Sequence, residues 1–282
     1  MRKNLIYLML AFVFVAVFAL YMFIVQGVTD TRPPVISFSD TVLELSMRDP
    51  DSAYMQGVSA ADDQDGDVTA SVVVESIRLL ESDGSIQITY AAFDAAGNVS
   101  KAVRTARYTD YESPRFRLSR SLTFANNSNF DIFQFVKAED GLDGDISHRV
   151  RITSMDETSV STIGMHQLEL RVSNSLGETV KLVVPVEVYA AGTYEANLSL
   201  KDYLIYLPVG ARLDPESFLD TYTRGSEKMS LRDGIPEGLT LQMNHNVRTD
   251  VPGVYTIEYR VTQTVGEQDY TGYAKLIVVV EG

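Results

Sequence analysis

Seven aspartates in two short loops are the side chains of this 282-residue chain best placed to hold a ligand. Asp62, Asp63, Asp65 and Asp67 crowd into one loop, and Asp140, Asp143 and Asp145 follow Glu139 in another. Asp62-Asp63-Gln64-Asp65-Gly66-Asp67-Val68 matches Glu139-Asp140-Gly141-Leu142-Asp143-Gly144-Asp145-Ile146 with one inserted residue. A hard cation such as Ca²⁺ takes about six to eight oxygens, which clustered carboxylates supply. The EF-hand pattern is not met. With Gly66 as the loop glycine, Ala61 and Val72 stand where the first and last ligands belong. Two readings are open. Asp-Gly supplies turn geometry, with the carboxylates on nearby backbone amides, and this is the favoured one. Bound Ca²⁺ is the alternative, and the first loop is then expected to respond more strongly, because Gln64 stands where the second has Gly141 and Leu142.

No other constellation points to chemistry. His148, His166 and His245 lack metal-ligand spacing. No G-x-S-x-G, HExxH or phosphate-binding glycine loop occurs, so the chain is expected not to be an enzyme. The absence of cysteine excludes a disulfide scaffold and a thiolate metal site. Lys and Arg number 24 against 38 Asp and Glu, a net charge of −14 that excludes nucleic acid as a partner. Fifteen tyrosines and no tryptophan make a skewed aromatic set. Tyr194, Tyr203, Tyr206, Tyr270 and Tyr273 either face an extracellular glycan or protein or, as favoured, are half-buried strand residues.

The loops must be carried by something, and an internal repeat says what. Gly84 and Gly97, Gly164 and Gly177, and Gly253 and Gly266 are each 13 positions apart. Between them apolar residues alternate with period two: Ile86, Ile88, Tyr90 and Ala92, then His166, Leu168, Leu170 and Val172, then Tyr255, Ile257, Tyr259 and Val261. Such alternation predicts a strand with one face on a core, and the second glycine of each pair predicts a hairpin turn. The fold class is therefore all-β, tandem Ig-like β-sandwich modules spanning residues 31–112, 113–191 and a divergent 192–282. Pro185 suggests an edge strand or a bulge, and linkers bearing Pro114 and Gly192 are expected to restrict movement between modules.

Residues 1–29 form a cytoplasmic stub and a signal anchor. Residues 5–25 carry no charge, and as a helix they span about 32 Å, enough for one membrane crossing. Arg2 and Lys3 place the N-terminus inside the cell, so the membrane partner is residues 5–28 and the modules are extracellular. Cleavage after a passable small-residue site, Val25-Gln26-Gly27, is the alternative.

The strings GVSAADDQDGDVTASV (residues 57–72) and ITYAAFDAAGNVSKAVRTARY (residues 88–108) resemble the bacterial Ig-like module first described in insecticidal crystal toxins. The second module keeps DGDIS but has Asn174-Ser175-Leu176-Gly177-Glu178 where the family has an acidic turn, and the third keeps only the hairpin and closing strand. The resemblance implies tandem β-sandwiches in surface-attached bacterial proteins and no reaction. The expected function is a membrane-anchored surface stalk, adhesion or interaction arm, with an accessory subunit of an envelope complex as the alternative and an extracellular enzyme as the remainder.

Overall fold

The computed structural model describes residues 2–28, 30–40, 42–154 and 162–282, and the helix side chains over residues 6–22. The chain divides into two compact units, Met1–Tyr111 and Glu112–Gly282.

In the first unit Val35–Phe38, Val58–Asp62 and Gly66–Asp67 form a three-stranded antiparallel sheet. A four-stranded sheet runs Val42–Leu45, Val99–Tyr108, Ser85–Phe93 and Val73–Leu79, its first pair parallel. The alternation seen in the sequence decides which residues are inside: Ile86, Ile88, Tyr90 and Ala92 are completely buried. Phe38 of the smaller sheet packs against Tyr90 of the larger, with ring centroids 5.3 Å apart. Buried Arg104 covers the Phe38 ring and donates to the Gln56 carbonyl at 2.6 Å. The hairpin turns at residues 94–98, where Gly97 takes φ +88°, as the second glycine of the repeat predicts.

The second unit opens with the same plan. Arg115–Leu118, Val136–Asp140 and Gly144–Asp145 make one sheet. Arg151–Ser154, Gly164–Ser173, Thr179–Tyr189 and Thr123–Ala125 make the other. Pro185 sits opposite Gln167 without a register shift, and Thr123–Ala125 pairs only with residues 187–189. The strand is thus internal overall, yet the side facing away from Gln167 is unpaired where proline lacks its donor.

The rest of the second unit departs from two separate sheets. Seven strands join in one sheet, because Gln268–Glu281 accepts Ala196–Leu200 at residues 272–273 and Leu204–Pro208 at residues 277–281. Gly272 lets the first of these approach closely: a Cβ there would lie 3.2 Å from the Leu198 amide nitrogen and Cβ. Leu204 and Ile277 of this sheet are buried in the same cluster as Phe116, Leu168 and Val186. The Phe116 amide donates to the Tyr206 hydroxyl at 3.0 Å, and Arg115 pairs with Glu281 at 3.0 Å. Lys275, 5% exposed, pairs with Glu187 and, at 3.1 Å, with Glu258, while its amide donates to the Ser121 hydroxyl at 2.8 Å.

The helix Arg2–Val28 has 27 residues and rises about 40 Å. Its side chains over residues 6–22 are apolar and all exposed. Among the described residues no helix is long and apolar enough to cross a membrane. The expected span of residues 5–25 includes Leu5, Phe23, Ile24 and Val25, whose side chains lie outside the described residues. The expected transmembrane anchor is therefore found as a helix, and a membrane crossing is not shown for it.

Lys275→Ala should cost about 2 kcal/mol, because two part-buried acids are left facing each other without their cation. Urea denaturation of the intact chain measures it, and Glu187→Gln with Glu258→Gln should recover part of the loss. Two glycines with the same φ of +88° separate backbone strain from crowding. A Cβ on Gly97 meets nothing, whereas one on Gly84 falls 2.6 Å from the Tyr108 carbonyl oxygen and 2.7 Å from the Tyr111 Cβ. Gly97→Ala should cost about 1 kcal/mol, and Gly84→Ala about 2 kcal/mol more, read from the denaturation midpoints of the first unit.

Candidate functional site

Each aspartate loop is a reversal from a strand into a two-residue return. Asp62 pairs with Gly66 across the first, and Asp140 with Gly144 across the second. The glycines take φ of +74° and +69°. Asp62 Oδ1 accepts the amides of Gln64 at 2.8 Å and Asp65 at 3.0 Å, and Asp140 Oδ1 those of Leu142 at 2.9 Å and Asp143 at 2.8 Å. Asp67 Oδ1 accepts the Thr69 amide, and Asp145 Oδ1 the Ser147 amide, both at 2.9 Å. These bonds align Asp62 with Asp140, Asp65 with Asp143 and Asp67 with Asp145, so no residue is inserted in the second loop. The one-residue insertion expected from the sequence is corrected by this register.

Four of these carboxyls are held below the usual carboxylate range, and not all by the same means. The amides of Asp65 and Gln64 keep the Asp62 carboxyl below the usual carboxylate range. The Thr69 hydroxyl and amide do this for Asp67, and those of Ser147 for Asp145. Burial pushes Asp143 up, but the Ser175 hydroxyl and amide and the Arg149 guanidinium outweigh it and leave it low. Ser175 donates to Asp143 from its amide at 2.7 Å and its hydroxyl at 2.6 Å, and Arg149 reaches the same carboxylate at 2.6 Å. Asn174 Nδ2 donates to Asp140 Oδ2 at 3.1 Å.

The first loop is arranged otherwise. Asp63 points outward to Arg32 at 2.6 Å, and both are exposed. Asp65 Oδ2 accepts the Ala95 amide at 2.8 Å. One carboxylate oxygen each from Asp30, Asp62 and Asp65 lies within 4.8 Å of the others. Asp30 was not visible as a site residue, because it precedes the module and belongs to no acidic string. Asn98 positions it: its Nδ2 donates to the Asp30 carbonyl at 3.3 Å and to Asp94 Oδ2 at 2.7 Å. Gln64 enters through its backbone amide, so the side-chain reason for favouring the first loop does not hold.

His166 is buried, with Nε2 2.8 Å from the Thr162 carbonyl oxygen, whereas His148 and His245 are exposed. In the second unit a cavity of about 370 Å³ is lined by Tyr189, Tyr194, Tyr203, Tyr273 and Arg120. Tyr194 stacks on Tyr273 at 4.7 Å and meets Tyr189 edge-on at 4.8 Å.

No family model matches the chain. It shows weak homology to the pesticidal crystal protein Cry22Aa of Bacillus thuringiensis, 24% identical over 214 residues, covering 74% of this chain and 28% of that protein. An uncharacterized 81.3 kDa protein of Acholeplasma phage L2 is 24% identical over 182 residues, covering 62% of this chain and 22% of that one. The chain thus spans less than a third of the length of either curated relative. Among solved structures, the CBM51-2 and INT domains of Clostridium perfringens ZmpB in complex with GlcNAc overlap 88% of this chain and 41% of that one, at 13% identity and a TM-score of 0.23. The protocadherin GammaB4 extracellular domain overlaps 89% of this chain and 51% of its own, at 11% identity and a TM-score of 0.21. The chain is mostly β, in several small sheets, and its sequence resembles that of an insecticidal crystal protein.

Proposed function

We propose that this protein is a non-enzymatic surface arm, its tandem β modules held outside the cell by the helix Arg2–Val28 lying in the membrane. The observation that carries the proposal is the helix surface. Every side chain over residues 6–22 is exposed, and nearly all are apolar round the full circumference. Water penalises such a surface by about 25 cal/mol for each Å² of apolar area, so a helix of this kind requires a cover. Lipid supplies one, and Arg2 and Lys3 then orient the N-terminus toward the cytoplasm. Among the described residues the modules bring no catalytic constellation to this proposal, and they bring a surface suited to recognition. The cleft where Tyr189 and Tyr194 lie beside Arg120 offers aromatic rings and a guanidinium to an extracellular partner.

Fractionation tests the tether. The intact chain should remain with membranes through an alkaline carbonate wash, and a chain lacking residues 1–29 should be released as folded protein. Protease added to intact cells should digest the modules and spare an N-terminal tag. Release of the intact chain by carbonate, or retention of the shortened one, would refute the reading.

A further inference from the structure

The first unit carries a buried negative charge that the second unit, with the same loop, neutralises internally. Asp62 is 8% exposed, and its Oδ2 is buried without a hydrogen-bond partner; the Oδ2 of Asp30 is in the same position. A buried carboxylate oxygen without a donor or a cation is costly. The Asp65 and Gln64 amides occupy Oδ1 of Asp62 and leave its Oδ2 without a donor. Among the described residues no basic side chain pairs with Asp30, Asp62 or Asp65, since Arg32 is engaged by Asp63.

The second loop shows what is missing. There Asn174 donates to Asp140 Oδ2, and Arg149 pairs with Asp143. The hairpin turns match bond for bond, Asp94 amide to Asn98 carbonyl and Asn174 amide to Glu178 carbonyl, so Asp94 stands where Asn174 does. Asp94 has only oxygens, and it gives them to the Asn98 amide at 2.8 Å and side chain at 2.7 Å. The short helical turns Thr69–Ser71 and Ser147–Arg149 likewise match, so Ser71 stands where Arg149 does. The first loop has therefore lost both the donor and the internal cation, and it gains a third carboxylate from Asp30.

We infer that Asp30, Asp62 and Asp65 bind one hard divalent cation, Ca²⁺ in preference to Mg²⁺, in the place that Arg149 and Asn174 fill in the second loop. Oxygens within 4.8 Å of one another can all reach an ion whose bonds are about 2.3–2.6 Å long. Water completes the shell, since Asp30 and Asp65 reach the surface. Mg²⁺ demands tighter octahedral geometry and dehydrates reluctantly, which a site of three separate chain segments does not favour.

Isothermal titration of the intact chain in detergent micelles with CaCl₂, and in parallel with MgCl₂, tests this. One Ca²⁺ per chain is expected. Asp62→Asn and Asp30→Asn should each weaken binding by roughly tenfold or more, and Asp30, outside every strand, can be changed without disturbing the sheets. Asp94→Asn supplies the amide that Asn174 gives and should weaken binding too, while Asp143→Asn in the second loop should leave the affinity unchanged. No saturable Ca²⁺ binding, unaltered affinity in Asp30→Asn, or equal responses to both ions would overturn the inference; the last would show general screening of an acidic surface.

Discussion

A carboxylate folded beneath its own loop organises the repeat. Asp62 and Asp140 are 8% and 6% exposed, and burial at that level is tolerable for a charged group only when protein groups replace its water. The two amides on each Oδ1 do so, and they fix the reversal that places Gly66 and Gly144 at positive φ. The rest of the corner follows. Thr69 and Ser147 accept the amides of Ala60 and Ala138, tying the exit of each loop to its incoming strand. Asp65 and Asp143 then capture the hairpin turn of the opposite sheet through the amides of Ala95 and Ser175. The buried acid, a hydroxyl and a second aspartate thus join loop, strand and hairpin at the same end of the module.

The backbone solution recurs while the electrostatic one does not. Arg149 and Asn174 make the second loop self-sufficient, at the cost of committing a guanidinium and an amide to internal contacts. The first loop keeps acceptors at both positions, within a module of 6 basic and 14 acidic residues. Like charges at short range repel more strongly as water is excluded, so this arrangement makes the first corner depend on its ionic surroundings. The second corner depends chiefly on its own residues.

Much of the scaffold was legible because strand burial has a period of two. Ile86, Ile88, Tyr90 and Ala92 are inside for the reason the alternation suggests, and Gly97 and Gly177 sit at the turns they mark. Contacts remote in sequence were not legible. Asp30 joins Asp62 only after the chain has folded over a whole strand pair, and nothing local distinguishes it from a solvated acid. Asp94 against Asn174 was readable in the aligned hairpins, but its meaning depends on which oxygen of Asp62 lies beneath it. The single seven-stranded sheet was also hidden. Periodicity tells which face of Gln268–Glu281 is buried and not which strands share its edges.

Lys275 shows how a pattern violation carries information about assembly. It interrupts a buried run in the final strand, between Ala274 and Leu276, where a lysine gains nothing from the hydrophobic effect. Its partners explain it. Glu187 comes from the hairpin of the preceding sheet and Glu258 from the adjacent strand, with the Tyr273 hydroxyl donating to the same Glu187 at 2.7 Å. A buried ion pair contributes little net stability against an apolar substitute, but it penalises every register that separates its members. Shared burial of Leu204 and Ile277 with Phe116 and Leu168 supplies the attraction, and Lys275 supplies the alignment. The two parts of the second unit on either side of Gly192 are therefore joined by a buried junction as well as by the chain itself.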